Sequence, residues 1–187
     1  MTNVNTSASF GHPEILPATK EEMLIVANLF ELYAHDFSEF HPVEPGPDGR
    51  FGSPELPLYW SEEGRYPFLI KVGGKLAGFA LIRQLQPAAG NDAVWDVAEF
   101  FVLRAYRRRG VGMRAACSVW RRFPGAWQVR VMHANQNARR FWDRAITAFA
   151  GDAVSSTSME KAGEVWAVFR FLSLGSDPTP SASIPSR

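Results

Sequence analysis

The sequence predicts a mixed α/β domain built on a mostly antiparallel sheet, and three observations carry that expectation. A helix-like apolar pattern comes first, a Gly-Gly hairpin and a further strand follow, and the second half alternates helix and strand. At 187 residues with 46% hydrophobic content, the chain is long enough for one domain with a proper core.

Thr19 and Glu22 have capping-box spacing, and Leu24, Ala27, Leu29, Leu32 and Tyr33 follow at roughly helical intervals, so the first helix is expected to begin at Thr19. Residues 41–57 hold five prolines and three glycines and read as a loop, with a short helix around Leu56–Ser61. Pro67–Val72, Gly73-Gly74 and Lys75–Gln84 form a hairpin pattern. Ala93–Leu103 reads as the next strand, after a turn-like Pro87–Asp92. A helix over Gly110–Phe123 is stopped by Pro124-Gly125. Ala126–His133 reads as a strand, and Asn135 caps a helix reaching about Phe149. Glu164–Leu172 is the last strand, with a weaker one near Ala153–Met159. Residues 1–12 and 173–187 are polar or Ser/Pro-rich and are expected to be disordered tails around a single domain over 13–172.

Composition narrows the function classes. Cys117 is the single cysteine, which excludes an internal disulfide framework and a cysteine-based metal cluster. His35 and His41 are too far apart for a helical ligand pair, so no metal is expected. No apolar run approaches the roughly 20 residues of a membrane helix, and the first residues lack the blocks of a secretory signal. A cytoplasmic protein with no membrane partner is the expectation. The net charge of +1 hides an asymmetry. Residues 1–103 carry six Lys/Arg against fourteen Asp/Glu, a balance of −8; residues 104–187 carry fourteen against five, a balance of +9. The first half suits a cationic partner and the second an anionic one, unless the charges only solvate opposite surfaces.

The most informative stretch runs from Glu99 to Arg114. A strand leads into a basic loop, and Gly110 and Gly112 then open a helix. Helix N-termini offer unpaired amides and a positive dipole end to phosphate, and glycines allow close approach. Seven arginines and no acid lie from Arg104 to Arg122. Taken alone, the same glycines could equally be turn residues. The P-loop and the Rossmann spacing are both absent.

Val102 stands five residues before Arg107, followed by Arg108, Arg109, Gly110, Val111 and Gly112. Downstream comes Asn135-Gln136-Asn137-Ala138-Arg139-Arg140-Phe141-Trp142. This pair of motifs, at this separation, resembles the GNAT superfamily of acetyltransferases, with its Val-x-x-x-x-Arg/Gln-x-x-Gly-x-Gly/Ala run and its Asn-x-x-Ala-x-x-aromatic-aromatic helix. The resemblance covers about residues 14–172 and is nearest to a branch of uncharacterised acetyltransferases.

The resemblance implies a GNAT fold whose central fourth and fifth strands splay, with the pantetheine arm of acetyl-CoA lying in the gap. Backbone groups near Phe101, Val102 and Leu103 would pair with the arm. The amides of Arg107, Arg108, Arg109, Gly110, Val111, Gly112 and Met113 would hold the pyrophosphate, and Arg104, Arg108 or Arg109 the 3′-phosphate. Asn135, Ala138 and Trp142 would flank the arm. Glu99, ahead of Asp96, is the expected base for an amine acceptor, unless these acids simply pair with an arginine. Tyr33, Asp36, Glu39, Phe51, Tyr59 and Trp60 are candidates to line the acceptor pocket, although the aromatics could be core and the acids solvated. Two departures stand out: Trp142 replaces the tyrosine that often protonates the thiolate, and Ile146-Thr147 replace Gly-Phe. The general acid is open among Tyr33, Tyr106, His133 and water. The implied activity is acetyl transfer from acetyl-CoA to a small-molecule or peptide amine by a monomer or homodimer. The alternatives are a non-catalytic acetyl-CoA-binding module and, less in keeping with the acidic first half, a nucleic-acid binder.

Overall fold

The computed structural model describes residues 11–85 and 93–175. The turn expected at Pro87–Asp92 and most of both tails lie outside them. In chain order the elements are β1 (Pro13–Pro17), α1 (Met23–Phe37), a 3-10 turn (Leu56–Trp60), β2 (Arg65–Val72), β3 (Lys75–Leu85), β4 (Val94–Val102), a 3-10 turn (Arg104–Tyr106), α2 (Val111–Arg122), β5 (Gly125–Met132), α3 (Gln136–Ala150), β6 (Ser155–Lys161) and β7 (Glu164–Ser173). They form one seven-stranded sheet in the order β1-β2-β3-β4-β5-β7-β6, antiparallel except for β4 against β5. The mixed, mostly antiparallel sheet with flanking helices and diverging central strands is the expected fold.

Two local expectations need correction. Helix α1 begins at Met23, four residues after Thr19. Thr19 and Glu22 do meet, Thr19 N donating to Glu22 Oε2 at 3.1 Å, but they close a turn that precedes the helix. The buried face keeps Ala27, Leu29 and Tyr33 of the expected stripe and departs from it at Leu24 and Leu32. Leu24 and Leu32 are 60% and 51% exposed, whereas Val26, Leu29 and Ala34 are buried, with Phe30 and Tyr33 beside them. Strand β1 was not expected: Pro-Glu-Ile-Leu-Pro has no clear alternation, and proline at both ends is tolerated because the strand sits at the sheet edge.

The sheet separates two cores. Helices α2 and α3 cover one face through Val119, Trp120, Trp142, Ala145 and Ile146 against Trp127, Val129, Val131 and Phe169. Helix α1 covers part of the other through Val26 and Leu29 against Leu69, Phe79, Leu81 and Phe101. At the C-terminal end of β7, buried Ser173 Oγ donates to the Trp120 carbonyl at 2.7 Å.

Strands β3 and β4 approach unusually closely at Gly78. A Cβ there would lie 2.0 Å from the Phe101 carbonyl oxygen, a backbone atom that cannot step aside without moving β4. Gly78→Ala should therefore lower stability in urea denaturation by about 2 kcal/mol, within the usual cost of overpacking. Wild-type stability in this variant would show that β4 has room to shift.

Candidate active site

Strands β4 and β5 are paired only from Val94–Val97 against Ala126–Val129. Beyond that point β4 stays with β3 as far as Val102, while β5 stays with β7 as far as Met132. Each strand keeps its outer neighbour, so the two part and a gap opens between them. A cavity of about 540 Å³ fills the gap. Phe30, Tyr33 and Phe37 of α1 line one side; Asn135, with Ala138 and Trp142 of α3, lines the other. The cavity therefore joins the two faces of the sheet.

A β-bulge orients the acids. In the register of β3 with β4, Arg83 faces Asp96, Ile82 faces Val97 and Leu81 faces Glu99, so Ala98 is the extra residue. Residues three apart on a regular strand point to opposite faces. The bulge cancels that alternation and puts Asp96 and Glu99 on the α1 face together.

Their environments then diverge. Glu99 lines the cavity, and the Tyr33 hydroxyl hydrogen-bonds to it. Burial pushes the Glu99 carboxyl up to about 7, while the Tyr33 hydrogen bond and the charges of Arg83 and Arg130 pull the other way. Burial, reinforced by Glu99, raises the Tyr33 hydroxyl well above its ordinary value, so it remains a donor. Asp96 is fully buried and is not part of the cavity wall. Its oxygens accept from Arg83 Nε at 2.9 Å, Arg130 Nη2 at 2.8 Å and Nε at 3.2 Å, and Gln128 Nε2 at 3.1 Å. A carboxylate so thoroughly engaged is an anchor, and it fixes two arginines that no sequence motif singles out.

The loop after α1 forms another wall through Val43 and Phe51–Glu55. It hangs on Glu31, whose two carboxylate oxygens accept from Phe51 N at 2.7 Å and Gly52 N at 3.0 Å. Tyr59 lines the cavity, but Trp60 does not; its Nε1 donates to the Ala18 carbonyl at 2.9 Å. Asp36 and Glu39 also lie off the cavity wall. Asp36 accepts from Arg104 Nη2 at 2.5 Å and Arg107 Nη2 at 2.6 Å, tying α1 to the arginine turn. Burial works to raise its carboxyl, yet the hydrogen bonds from Arg107 and Arg104 hold it below the usual range.

The arginine turn is built for a tight reversal. Arg108 has φ 59° and Gly110, the residue before α2, has φ 73°. Arg114 N bonds to the Gly110 carbonyl, so the amides of the turn before it, at Val111, Gly112 and Met113, precede the helical ladder. Arg108 and Arg109 are exposed, whereas Arg107 also donates through Nε to the Val102 carbonyl at 2.6 Å. The Leu103 amide is spent on the Ala77 carbonyl at 2.8 Å, and Phe101 turns its ring into the α1 core. Gly112 has a packing role as well, because a Cβ there would meet the Phe141 ring at 3.2 Å. Asn135 Oδ1 caps α3 by accepting from Ala138 N at 2.9 Å. Trp142 is buried and packs on Phe100 and Trp120. Among the described residues no cluster of potential metal ligands occurs, and no helix is long and apolar enough to cross a membrane.

Residues 26–146 match the family model described as acetyltransferase (GNAT) family. Similar solved structures include an acetyltransferase from Thermus thermophilus, at 16% identity and TM-score 0.61, covering 86% of this chain and 97% of that one. Arabidopsis thaliana NAA60 in complex with a bisubstrate analogue is 14% identical at TM-score 0.56, covering 88% and 99%. The CoA-dependent acyl-homoserine lactone synthase BjaI, with SAM and isopentyl-CoA, is 14% identical at TM-score 0.56, covering 88% and 83%. At these identities the likeness concerns the fold. No curated protein matches the chain.

The raised Glu99 carboxyl links stability to pH. The native state keeps this proton up to about pH 7, whereas the unfolded chain releases it near 4.5, so the native state binds more protons in that window. The contribution of Glu99 to stability is complete below pH 4.5 and is lost as pH rises through 7. Urea denaturation from pH 4.5 to 8 should show a falling component that Glu99→Gln removes; identical pH slopes in both proteins would show that Glu99 titrates normally.

Proposed function

The chain belongs to the acetyltransferase (GNAT) family, and we propose that it is an acetyl-CoA-dependent N-acetyltransferase whose primary-amine acceptor attacks directly in a ternary complex. The observation that carries this reading is the through-sheet cavity, which sets Glu99 between an α1-lined side and an α3-lined side.

The residues fit such a cosubstrate. Its pyrophosphate suits the amides that precede the α2 ladder, where Gly110 adds no side chain and Arg108 lies exposed. Its arm suits the β4 edge that β5 has left, between Phe100 and the Asn135, Ala138 and Trp142 side. Arg107 already holds the Val102 carbonyl on that strand, so an arm amide competes with a guanidinium there. Acetyl-CoA supplies an activated acyl carbon and a thiolate leaving group.

The rest is done by the chain. A lysine-like amine, with a pKa of about 10.4, must lose a proton before it can attack. Glu99, poised at about 7, accepts that proton directly or through water, and a base near the working pH gives the best compromise between basicity and availability. Tyr33 donates to Glu99 and fixes the carboxylate against α1. Trp142 offers no acid. A thiol of pKa about 8.5 leaves without one, and Tyr33 is a hydroxyl donor on the acceptor side of the cavity. Asp96 positions Arg83 and Arg130.

Two measurements test the proposal. Glu99→Gln should reduce kcat about 100-fold while leaving calorimetric acetyl-CoA affinity nearly unchanged. Wild-type kcat/KM should climb with pH through about 7 as Glu99 ionises, a limb absent from the variant; unaltered turnover would remove Glu99 as the base. Gly110→Glu places a side chain at φ 73°, 2.7 Å from Arg114 Nη1, and adds a negative charge. It should weaken acetyl-CoA binding severalfold or more, and wild-type affinity would move the phosphate site elsewhere. Acetyl-CoA binding without CoA release across an amine library would favour a non-catalytic binding module.

A further inference from the structure

The charged side chains on the main cavity wall are Glu55, Arg83, Glu99 and Arg130. Asp96 sits behind the wall and pairs with both guanidiniums, and Glu55 also faces Arg83 Nη1 at 3.6 Å. It engages Arg130 through Nε and Nη2; among the described residues no hydrogen bond reaches Arg130 Nη1. A smaller cavity of about 220 Å³ adjoins the first, and Arg130 and Trp166 line both. Across the β5–β7 pair, Trp166 faces Met132 and Arg130 faces Val168, which puts the two side chains on one face as diagonal neighbours. The Trp166 Nε1 donor is buried with no hydrogen-bond partner. Buried donors are rarely left unpaired without a reason, and a ligand acceptor is one such reason. Glu164, the acid of the smaller cavity, faces His41 Nδ1 at 3.6 Å.

We infer that the acceptor carries a carboxylate as well as its amine, and that Arg130 and the Trp166 indole N–H receive this carboxylate where the two cavities meet. The substrate class is then a zwitterionic, amino-acid-like compound, its amine directed to Glu99 and its apolar portion to the aromatic wall of Phe30, Phe51 and Tyr59. A carboxylate oxygen can accept from Nη1, the arm that Asp96 leaves, on a guanidinium whose orientation Asp96 has already fixed. The inference rests on the cavity being the acceptor site of an acetyltransferase.

The test is calorimetric titration of the full chain, with CoA present, using the common amino acids, each beside its amide and its decarboxylated amine. At least one free amino acid should bind about tenfold or more tightly than both of its neutral-ended counterparts, the usual effect of a charge-assisted hydrogen bond. Trp166→Phe keeps the ring and removes the donor; it should erase most of that preference and leave the amide and amine unaffected. Arg130→Lys, which keeps the charge and loses the Nη1 arm, should also weaken only the free acid. Equal or tighter binding of the amides and amines, no binding by any amino acid, or equal weakening of all three ligand types in Trp166→Phe each overturns the inference. A parallel acetyl-CoA titration separates the levels. Retained acetyl-CoA binding without a carboxylate preference sinks this inference alone, whereas absent acetyl-CoA binding takes the proposed function down with it.

Discussion

Between Arg83 and Leu81, β3 spends one residue where β4 spends two, and the surplus residue is Ala98. Much of the candidate site depends on that mismatch. Without it, Asp96 and Glu99 would face opposite sides of the sheet. With it, Asp96 stays beneath Arg83 and Arg130 while Glu99 reaches the cavity under Tyr33. Bulges bend and twist a strand locally, and the last pairing of β4 with β5, Val97 with Val129, falls at this one. One irregularity thus coincides with both the placement of the acid and the opening of the gap.

The two acids show how position overrides residue type. Both lie on the same strand and the same face. Asp96 is sealed among four donor contacts from three side chains and serves as an anchor. Glu99 has a single tyrosine donor and cavity surroundings, which leaves it free to exchange a proton near neutrality. An aspartate left without its arginines would be an uncompensated buried charge, a loss of about 3–5 kcal/mol in comparable pairs. The scaffold therefore needs Asp96 held in place, while the proposed chemistry needs Glu99 movable between states.

Features governed by short-range rules were legible in the sequence. The Asn135 cap, the glycine before α2 and the Gly73-Gly74 hairpin are each fixed by a few neighbouring residues, and each is present. Features governed by register were not. Arg83 and Arg130 come from strands far apart in the chain and become partners only through Asp96, so no local pattern announces them. The shared orientation of Asp96 and Glu99 was hidden because a bulge breaks the period-two rule. Leu24 and Leu32 looked like core beside Leu29 because apolar spacing does not say where the stripe that meets the sheet ends; Val26 lies within it and they lie outside. Asp36 and Trp60 looked like pocket residues and are fasteners, one to the arginine turn and one to the Ala18 carbonyl.

Glu31 grips the proline-rich loop by main-chain amides, those of Phe51 and Gly52, and asks nothing of the side chains there. A fastening of that kind is indifferent to what the loop displays. The side chains of Val43, Phe51 and Ser53 take no part in that attachment, whereas Gly52 holds a φ of 61° and Glu55 pairs with Arg65 and Arg83. The side chains that the loop turns to the cavity wall at Val43, Phe51 and Ser53 are thereby separated from the main-chain contacts that hold it, and they can vary while β4 and its acids remain where they are.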